Sequence, residues 1–166
     1  MSVPPTDGQE VIQVLIVDDI PETRENLKKL LMFEADIEVI AAATNGEEGV
    51  QLARDLKPHV ILMDINMPGM DGIKASELIT QQSPYTQIII MSVQGESDYL
   101  RRSMLAGARE FLIKPFNSAD LVTSIRRVYE LYRQQVSRMG APGTQQASAG
   151  VVAPTTVEAE QNGKVI

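Results

Sequence analysis

The order of apolar and polar positions divides residues 11–133 into short hydrophobic runs separated by segments with helical spacing. Most of these runs are continuously apolar rather than alternating, which is typical of strands covered on both faces. The pattern therefore predicts a buried parallel sheet. The predicted strands are VIQVLIV (11–17), IEVIAAA (37–43), HVILMD (59–64), QIIIMS (87–92) and EFLI (110–113).

The segments between these runs carry apolar residues three or four positions apart, as expected for one face of a helix. Pro21 suits a first helical turn, and Gly107 suits a helix end. Strands that alternate with helices predict a three-layer α/β sandwich with right-handed crossovers. The apolar stripes are Leu27, Leu30 and Leu31; Val50, Ala53 and Leu56; Leu100, Met104 and Leu105; and Leu121, Ile125, Val128 and Tyr132.

The character of the chain changes after Arg133. Residues 140–163 are mainly Ala, Gly, Thr, Gln and Pro without a sustained period, which predicts a flexible linker or tail. We expect a flexible N-terminus over 1–10, one domain over 11–135, and a helix extension with a linker or tail over 136–166. The last stripe continues through Val136 and Met139, so this helix is either an ordinary last helix or a signalling helix or dimer seam.

Composition narrows the partners and the compartment. The net charge is -7, so bulk electrostatics argue against nucleic acid or an anionic membrane as a partner. The chain has no cysteine, which excludes disulfides, thiolate metal sites and cysteine nucleophiles. The first ten residues do not resemble a secretory signal, and no aliphatic run is long enough to span a bilayer. A cytoplasmic protein is therefore expected.

Polar side chains follow the predicted strands at the edge where the carboxyl ends of the strands meet. Strand 1 runs into Asp18 and Asp19, strand 3 ends in Asp64, strand 4 ends in Ser92, and Lys114 follows strand 5. Ligands of open parallel sheets bind at this edge, near the point where the strand order reverses. The sequence thus predicts that three carboxylates, a hydroxyl and an ammonium group converge on one site.

Three carboxylates without histidine or cysteine suit a hard cation, and Mg²⁺ is the expected one. Two like charges about 4 Å apart repel by about 4 kcal/mol at an effective dielectric of about 20, and a cation would offset this repulsion between Asp18 and Asp19. Asp64 is then available as a nucleophile toward phosphorus. Lys114 and Ser92 would neutralise and hydrogen-bond the phosphoryl oxygens, which is the electrostatic positioning that phosphoryl transfer needs.

These motifs resemble those of the receiver domains of two-component response regulators, the CheY-like family. The matching segments are VDD (17–19), MDINMPGMDG (63–72), MS (91–92) and LIKPF (112–116). The resemblance implies a flavodoxin-like three-layer sandwich with five helices and a five-stranded parallel sheet of order 2-1-3-4-5. It also implies a phosphorylation-dependent signalling switch, not an enzyme, whose only chemistry is self-phosphorylation and autodephosphorylation at one aspartate.

The resemblance also assigns roles to the acidic residues. Asp64 would accept a phosphoryl group from a sensor histidine kinase, a phosphotransfer protein or a small phosphodonor. Asp18, Asp19 and Asp64 would hold Mg²⁺, with the backbone carbonyl of Asn66 as a further ligand.

The same resemblance implies how the domain changes conformation when it is phosphorylated. Ser92 would move toward the phosphoryl group, and Phe111 would turn inward into the space that this movement opens. A cis peptide before Pro115 would aim Lys114 into the site, because X–Pro bonds are the usual setting for cis. The surface of helix 4, strand 5 and helix 5 would then change its preference for a downstream protein or a linked effector domain.

Two positions depart from the usual family pattern. Val93 follows the switch hydroxyl, where a small residue such as alanine is usual, so its bulk could slow access to the phosphoryl site. Arg109 stands where family members that dimerise through helix 4 and strand 5 commonly have an acidic residue. That dimer mode is therefore in doubt, although a homodimer stays open.

Several polar residues also have simpler interpretations. Asp18 and Asp19 taken alone fit a helix N-cap region as well as a site. His59, at the opposite edge of the sheet, is expected to be an ordinary surface residue. The pairs 101–102 and 126–127, all arginines, are expected to be solvated helix faces rather than a partner patch.

The form of the output stays open between a stand-alone receiver and the N-terminal receiver of a longer protein. The segment NGKVI (162–166) resembles the first strand of MinD/ParA-type ATPases, and receiver–ATPase fusions of this kind occur in pilus assembly. No G-x-x-x-x-G-K-[ST] loop occurs in the chain, so the chain itself is not expected to be an ATPase. No DNA-binding domain is expected within it.

Three other functions compete with the switch. A haloacid-dehalogenase-type phosphatase needs a D-x-D pair at the first strand, where this chain has adjacent aspartates. A flavodoxin-like electron carrier needs a phosphate loop rich in Ser, Thr and Gly, which DDIPETREN (18–26) is not. A degenerate receiver that acts as a binding module without phosphorylation is the third alternative.

Overall fold

The computed structural model describes residues 10–140, with the backbone alone for residues 139 and 140. The chain divides into two units, residues 1–132 and residues 133–166, and the described part of the second unit consists of the last turns of a helix. Most of the predicted flexible N-terminus, the predicted tail and the segment NGKVI lie outside the described residues. The domain bounds therefore stay predictions.

Strands and helices alternate along the described part of the chain. The strands form one parallel sheet in the order β2-β1-β3-β4-β5, which confirms the predicted fold class and strand order. Two strands begin one residue later than the apolar runs indicated, which is within the usual uncertainty of strand ends. The elements are β1 Ile12–Val17, α1 Pro21–Leu31, β2 Ile37–Ala43, α2 Gly46–Leu56, β3 Val60–Asp64, α3 Gly72–Gln82, β4 Gln87–Ser92, α4 Ser97–Leu105, β5 Glu110–Ile113 and α5 Ser118–Gly140.

A hydrophobic cluster covers each face of the sheet. On one face Ile16 of β1 packs with Leu27 of α1 and Leu121 of α5. On the other face Leu15 packs with residues of α2, α3 and α4, among them Ala53. Because helices cover both faces, the central strands β3 and β4 are buried along their whole length, which explains their unbroken apolar runs.

The edge strand β2 contains a β-bulge. Val14 pairs with Val39 and the next residue, Leu15, pairs with Ala41, so Ile40 is left without a partner in β1. Val39 packs against the α1–α5 cluster, whereas Ala41 packs against the cluster on the other face. The extra residue therefore reverses which face the following side chains cover.

The helices α2, α3 and α5, which begin at the carboxyl edge of the sheet, have side-chain caps, and α1 does not; the cap of α5 is Asn117. Asn45 accepts a hydrogen bond from the backbone N–H of the third residue of α2, and Asp71 does the same for α3. The N-cap of α1 is Ile20, which forms no such bond, and Pro21 occupies the first helical position as predicted. The start of α1 must therefore be tied to the sheet in another way.

His59 is not the surface residue that the sequence indicated. The ring is half-buried, and its Nδ1 accepts the backbone N–H of Gln13 at 2.9 Å. Its centroid lies 5.2 Å from that of Tyr129 and 4.7 Å from that of Tyr132. Burial lowers the pKa of His59, so a neutral ring joins the first residues of β1 to α5.

The arginines of α5 form ion pairs rather than simply facing solvent. Arg126 contacts Glu34 at 2.9 Å and Asp36 at 2.8 Å, which joins α5 to the connection between α1 and β2. Arg127 contacts Glu110 at the start of β5. These ion pairs lower the pKa of Asp36 and Glu110, because the adjacent guanidinium groups stabilise the ionised carboxylates.

Candidate functional site

Three carboxylates lie together at the carboxyl edge of the sheet. Asp18 and Asp19 directly follow β1, and Asp64 is the last residue of the neighbouring strand β3. One oxygen atom from each side chain lies within 4.8 Å of the others. Asp18 is fully buried and Asp64 is 5% exposed, so their charges are poorly solvated. The fold thus brings together the three acidic residues that the sequence singled out.

Lys114 provides the positive charge of this cluster. Its Nζ lies 3.1 Å from Oδ1 of Asp64 and 3.4 Å from Oδ2 of Asp18. The peptide bond between Lys114 and Pro115 is cis, and the backbone N–H of Lys114 donates to the carbonyl of Ser92. One ammonium group faces three carboxylates, so an excess of negative charge remains when all the groups are ionised.

Asp64 is the titratable group that this environment perturbs most clearly. Burial raises the pKa of Asp64 to about 6, and the neighbouring charge of Asp18 adds to the rise. Lys114 opposes the rise without cancelling it, and Asp19 adds a smaller increase. The carboxylate of Asp64 is therefore mostly ionised above neutral pH, where it stays available as a nucleophile.

Asp19 gives a further indication that the acidic cluster binds a cation, beside the excess of negative charge. Its Oδ1 is buried and has no hydrogen-bond partner, which is costly for a charged oxygen. The cluster offers only oxygen atoms as ligands, carries a net negative charge and has one carboxylate oxygen without a partner. Mg²⁺ fits such a site, because it is a hard cation that prefers oxygen ligands. Asn66 is exposed two residues after Asp64, and its role as a further ligand stays a prediction.

Ser92 and Phe111 lie on neighbouring strands at the same edge. Ser92 is buried, and its Oγ accepts the backbone N–H of Gln94 at 3.0 Å, which leaves its own O–H free to donate. Phe111 pairs with Ile90, two residues before Ser92, and is partly buried against the cluster on the α2–α4 side. Val93 is 66% exposed beside them. The switch roles of Ser92 and Phe111 stay predictions.

Gly72 positions Asp64 in a way that sequence reasoning missed. A Cβ atom added to Gly72 would lie 2.0 Å from the carbonyl oxygen of Asp64. Only glycine therefore lets the first turn of α3 pack so closely on the end of β3. Within the segment MDINMPGMDG (63–72), Gly69 has a φ of +78°, but nothing in this segment marked Gly72 as the point of closest approach.

Arg24 is the second contributor that sequence reasoning missed. Its Nη1 donates to the backbone carbonyl of Asp18 at 2.7 Å. A signal was available, since Arg24 follows Pro21 by three residues and therefore lies in the first turn of a helix that begins at this edge. The contact places a guanidinium group against the backbone of the acidic cluster.

Comparison with known proteins identifies the family. The family model described as "Response regulator receiver domain" matches residues 14–126. The chemotaxis protein CheY of Thermotoga maritima is 39% identical over 116 residues, which cover 70% of this chain and 96% of that protein. The nitrate/nitrite response regulator protein NarL of Escherichia coli K12 is 34% identical over 120 residues, which cover 72% of this chain and 56% of NarL.

Solved structures agree with these sequence matches. The response regulator domain of Thermotoga maritima CheB has a TM-score of 0.69 and 35% identity, covering 73% of this chain and 98% of that domain. The CheX–CheY–BeF3–Mg²⁺ complex from Borrelia burgdorferi has a TM-score of 0.70 and 26% identity, covering 76% of this chain and 95% of that one.

The matches to this chain extend over one domain of longer relatives. The chain spans about half the length of NarL and of DegU from Brevibacillus brevis. Within residues 10–140, no helix is long and apolar enough to cross a membrane. With the sheet order, the acidic site and the matches to family and structures in agreement, the chain belongs to the response regulator receiver domain family.

Proposed function

We propose that this receiver domain is switched by phosphorylation of Asp64, with Mg²⁺ as the cofactor. The observation that supports the proposal best is the arrangement around this one carboxylate. Asp64 is buried at the end of β3, within reach of Asp18, Asp19 and the ammonium group of Lys114. A carboxylate that is desolvated, crowded by like charge and faced by one lysine is suited to phosphoryl transfer.

The proposed reaction uses the residues of the acidic cluster and Lys114. An oxygen of ionised Asp64 forms a bond to phosphorus, and the bond from phosphorus to the nitrogen or oxygen of the donor breaks. Lys114 moves from the Asp64 carboxylate to an oxygen of the phosphoryl group. Asp18, Asp19, Asp64 and the carbonyl of Asn66 would hold Mg²⁺, which neutralises charge on the phosphoryl oxygens when it is bound.

The proposed switch begins at Ser92, whose O–H is free to donate to the phosphoryl group. Movement of Ser92 opens space on the face of the sheet where Phe111 is partly buried. The change would reach the surface of α4, β5 and α5. On α4 this surface exposes three large apolar residues, Leu100, Met104 and Leu105, which could contact a partner.

The partners in this proposal follow from the chemistry. A sensor histidine kinase or a phosphotransfer protein supplies the phosphoryl group, and a downstream protein or a linked effector domain responds. The switch would act in the cytoplasm, without nucleic acid or a membrane as a partner. Family membership favours this function over a haloacid-dehalogenase-type phosphatase or a flavodoxin-like electron carrier. None of the relatives named above supports the suggestion of a linked MinD/ParA-type ATPase, which was drawn from the segment NGKVI (162–166).

Phosphorylation is tested by incubating the protein with acetyl phosphate or phosphoramidate and Mg²⁺ and measuring its intact mass. We expect the parent to gain one phosphoryl group and Asp64→Asn to gain none. Asp71→Asn is the matched control, because Asp71 caps α3 outside the acidic cluster and asparagine is an equally good N-cap. EDTA should prevent the gain in the parent.

Two results would contradict the proposal. Equal labelling of Asp64→Asn and the parent would move the acceptor to another residue. A parent that is never labelled, despite bound Mg²⁺, would instead favour a degenerate receiver that acts as a binding module without phosphorylation.

A further inference from the structure

The connection between β1 and α1 is held by Arg24 and Asp18, since α1 has no side-chain cap of its own. Ile20 forms no side-chain bond to the first turn of α1, and Pro21 has no N–H to contribute. Arg24 instead reaches back from that turn, and its Nη1 donates to the carbonyl oxygen of Asp18 at 2.7 Å. This bond ties the start of α1 to the end of β1.

Asp18 is anchored through each of its polar groups. Its N–H donates to the carbonyl of Ala43 at 3.1 Å, and its Oδ1 accepts the N–H of Ile20 at 2.9 Å. Its Oδ2 contacts Lys114, and its carbonyl accepts from Arg24. The last of these bonds fixes the peptide group that leads into Asp19.

Asp19 depends on that peptide group for its direction. Its Oδ1 is buried without a hydrogen-bond partner, so no bond to this oxygen holds the carboxylate in place. The plane of a peptide group sets the direction of the following N–Cα bond, because the peptide is rigid. Fixing the Asp18 carbonyl therefore restricts where the Asp19 carboxylate can point.

We propose that Arg24 is a positioning residue for the metal site, acting through the Asp18–Asp19 peptide. The inference rests on the proposed Mg²⁺ site and adds a residue that is not itself a ligand. Groups that hold metal ligands in place commonly change metal affinity about 10- to 100-fold when they are removed. Arg24 holds the backbone of two ligands at once.

The charge of Arg24 and its hydrogen bond have opposite effects on cation binding. A guanidinium group near a cation site repels the cation, so a purely electrostatic role predicts that removing Arg24 tightens Mg²⁺ binding. A positioning role predicts weaker binding, because the Asp19 carboxylate loses its fixed direction. The sign of the change therefore separates the two roles.

The experiment is a calorimetric titration of Mg²⁺ into the metal-free protein, without a phosphodonor. We expect the Kd of Arg24→Met to rise by about tenfold. Arg24→Lys, which can still donate to a carbonyl, should recover part of the affinity. Arg54→Met, at an exposed arginine of α2, is the matched control and should bind as the parent does.

A second measurement needs no metal. In metal-free Arg24→Met, the amide signals of Asp19 and Ile20 should shift and exchange with solvent faster than in the parent, while those of α2 stay unchanged. Circular dichroism shows whether each variant folds, and Arg24→Lys provides the comparison if Arg24→Met does not.

The outcomes are distinguishable. Unchanged or tighter Mg²⁺ binding by Arg24→Met, beside a parent that binds Mg²⁺, overturns the positioning role and leaves the proposed function intact. A parent that binds no Mg²⁺ overturns both. Weaker binding by Arg24→Met with unaltered Arg54→Met supports the inference.

Discussion

Asp64 is destabilising to the folded protein when no cation is bound. Burial and the charge of Asp18 raise its pKa to about 6, against an ordinary value of 3.8. A carboxyl group whose pKa is higher in the folded state binds its proton more tightly there than in the unfolded state. Its favourable contribution is thus complete below about pH 4 and is lost as the pH rises through about 6.

We therefore expect Asp64→Asn to stabilise the metal-free protein at pH 8, by up to about 3 kcal/mol in free energy of unfolding. The gain should shrink toward pH 4, where Asp64 is protonated in the folded state and close to its ordinary pKa of 3.8 in the unfolded state. Urea unfolding in EDTA at several pH values measures it, with Asp71→Asn as the control. A gain that is equal at pH 4 and pH 8, or no gain at either, would show that ionisation of Asp64 is not the cause.

The residues of the site differ in how well the sequence predicted them. The aspartates, Ser92 and Lys114 follow from one rule, because the carboxyl ends of parallel strands meet at one edge. Arg24 escaped that rule, since it lies inside a helix and its contact depends on how the first turn of α1 is placed over β1. Arg24 donates a hydrogen bond to a backbone carbonyl, and every residue type has such a carbonyl, so no sequence motif marks the contact.

At the scale of the elements, the connection from β3 to α3 depends on one close approach. Gly72 donates its N–H to the carbonyl of Ile65, and its Cα lies against the backbone of Asp64. Backbone atoms cannot move aside as the end of a side chain can. The helix α3 thus holds Asp64 at a position that any larger residue at 72 would change.

We expect Gly72→Ala to lower the free energy of unfolding by more than about 2 kcal/mol and to weaken Mg²⁺ binding. Gly95→Ala is the matched control, because its added Cβ would meet only the end of the flexible Ile113 side chain, and we expect a change of less than about 1 kcal/mol. Urea unfolding and Mg²⁺ titration measure the two effects. Equal changes in the two variants would mean that the backbone contact is not decisive.

The sequence predicted the strands, but it did not predict the bulge in β2 or the contacts of His59. Continuous apolar runs identified all five strands, since each central strand has helices on both faces. The bulge at Ile40 lies among the apolar residues VIAAA (39–43) that follow Glu38, so no polar residue marks where the alternation reverses. Likewise, the contacts of His59 depend on two tyrosines 70 and 73 positions further along the chain, which only the fold brings close.

At the scale of the whole molecule, the acidic edge and the α4–β5–α5 surface are connected through β4 and β5. Ser92 ends β4, its backbone carbonyl accepts the N–H of Lys114, and Phe111 lies within β5. A change at Asp64 therefore has a short route to the surface that we propose a partner contacts. The route does not pass through the amino edge of the sheet, where His59 lies.

We expect beryllofluoride with Mg²⁺ to shift or broaden the amide signals around Ser92, Phe111 and α4, and to leave those around His59 nearly unchanged. The physical reason is that beryllofluoride on a carboxylate imitates a phosphoryl group, so Asp64→Asn should show no such response. Two-dimensional amide spectra of both proteins measure this. An unchanged spectrum of the parent would contradict the switch and favour a phosphorylation-independent receiver.

The bulge in β2 also bears on how the molecule behaves at high concentration. Among residues 10–140 no strand lies beyond β2, so one long side of this strand is open to backbone pairing with another chain. A bulge twists and bends such an edge, and the exposed charge of Glu38 adds repulsion. The strand is thereby a poor template for aggregation in a protein that exposes Leu100, Met104 and Leu105 on α4.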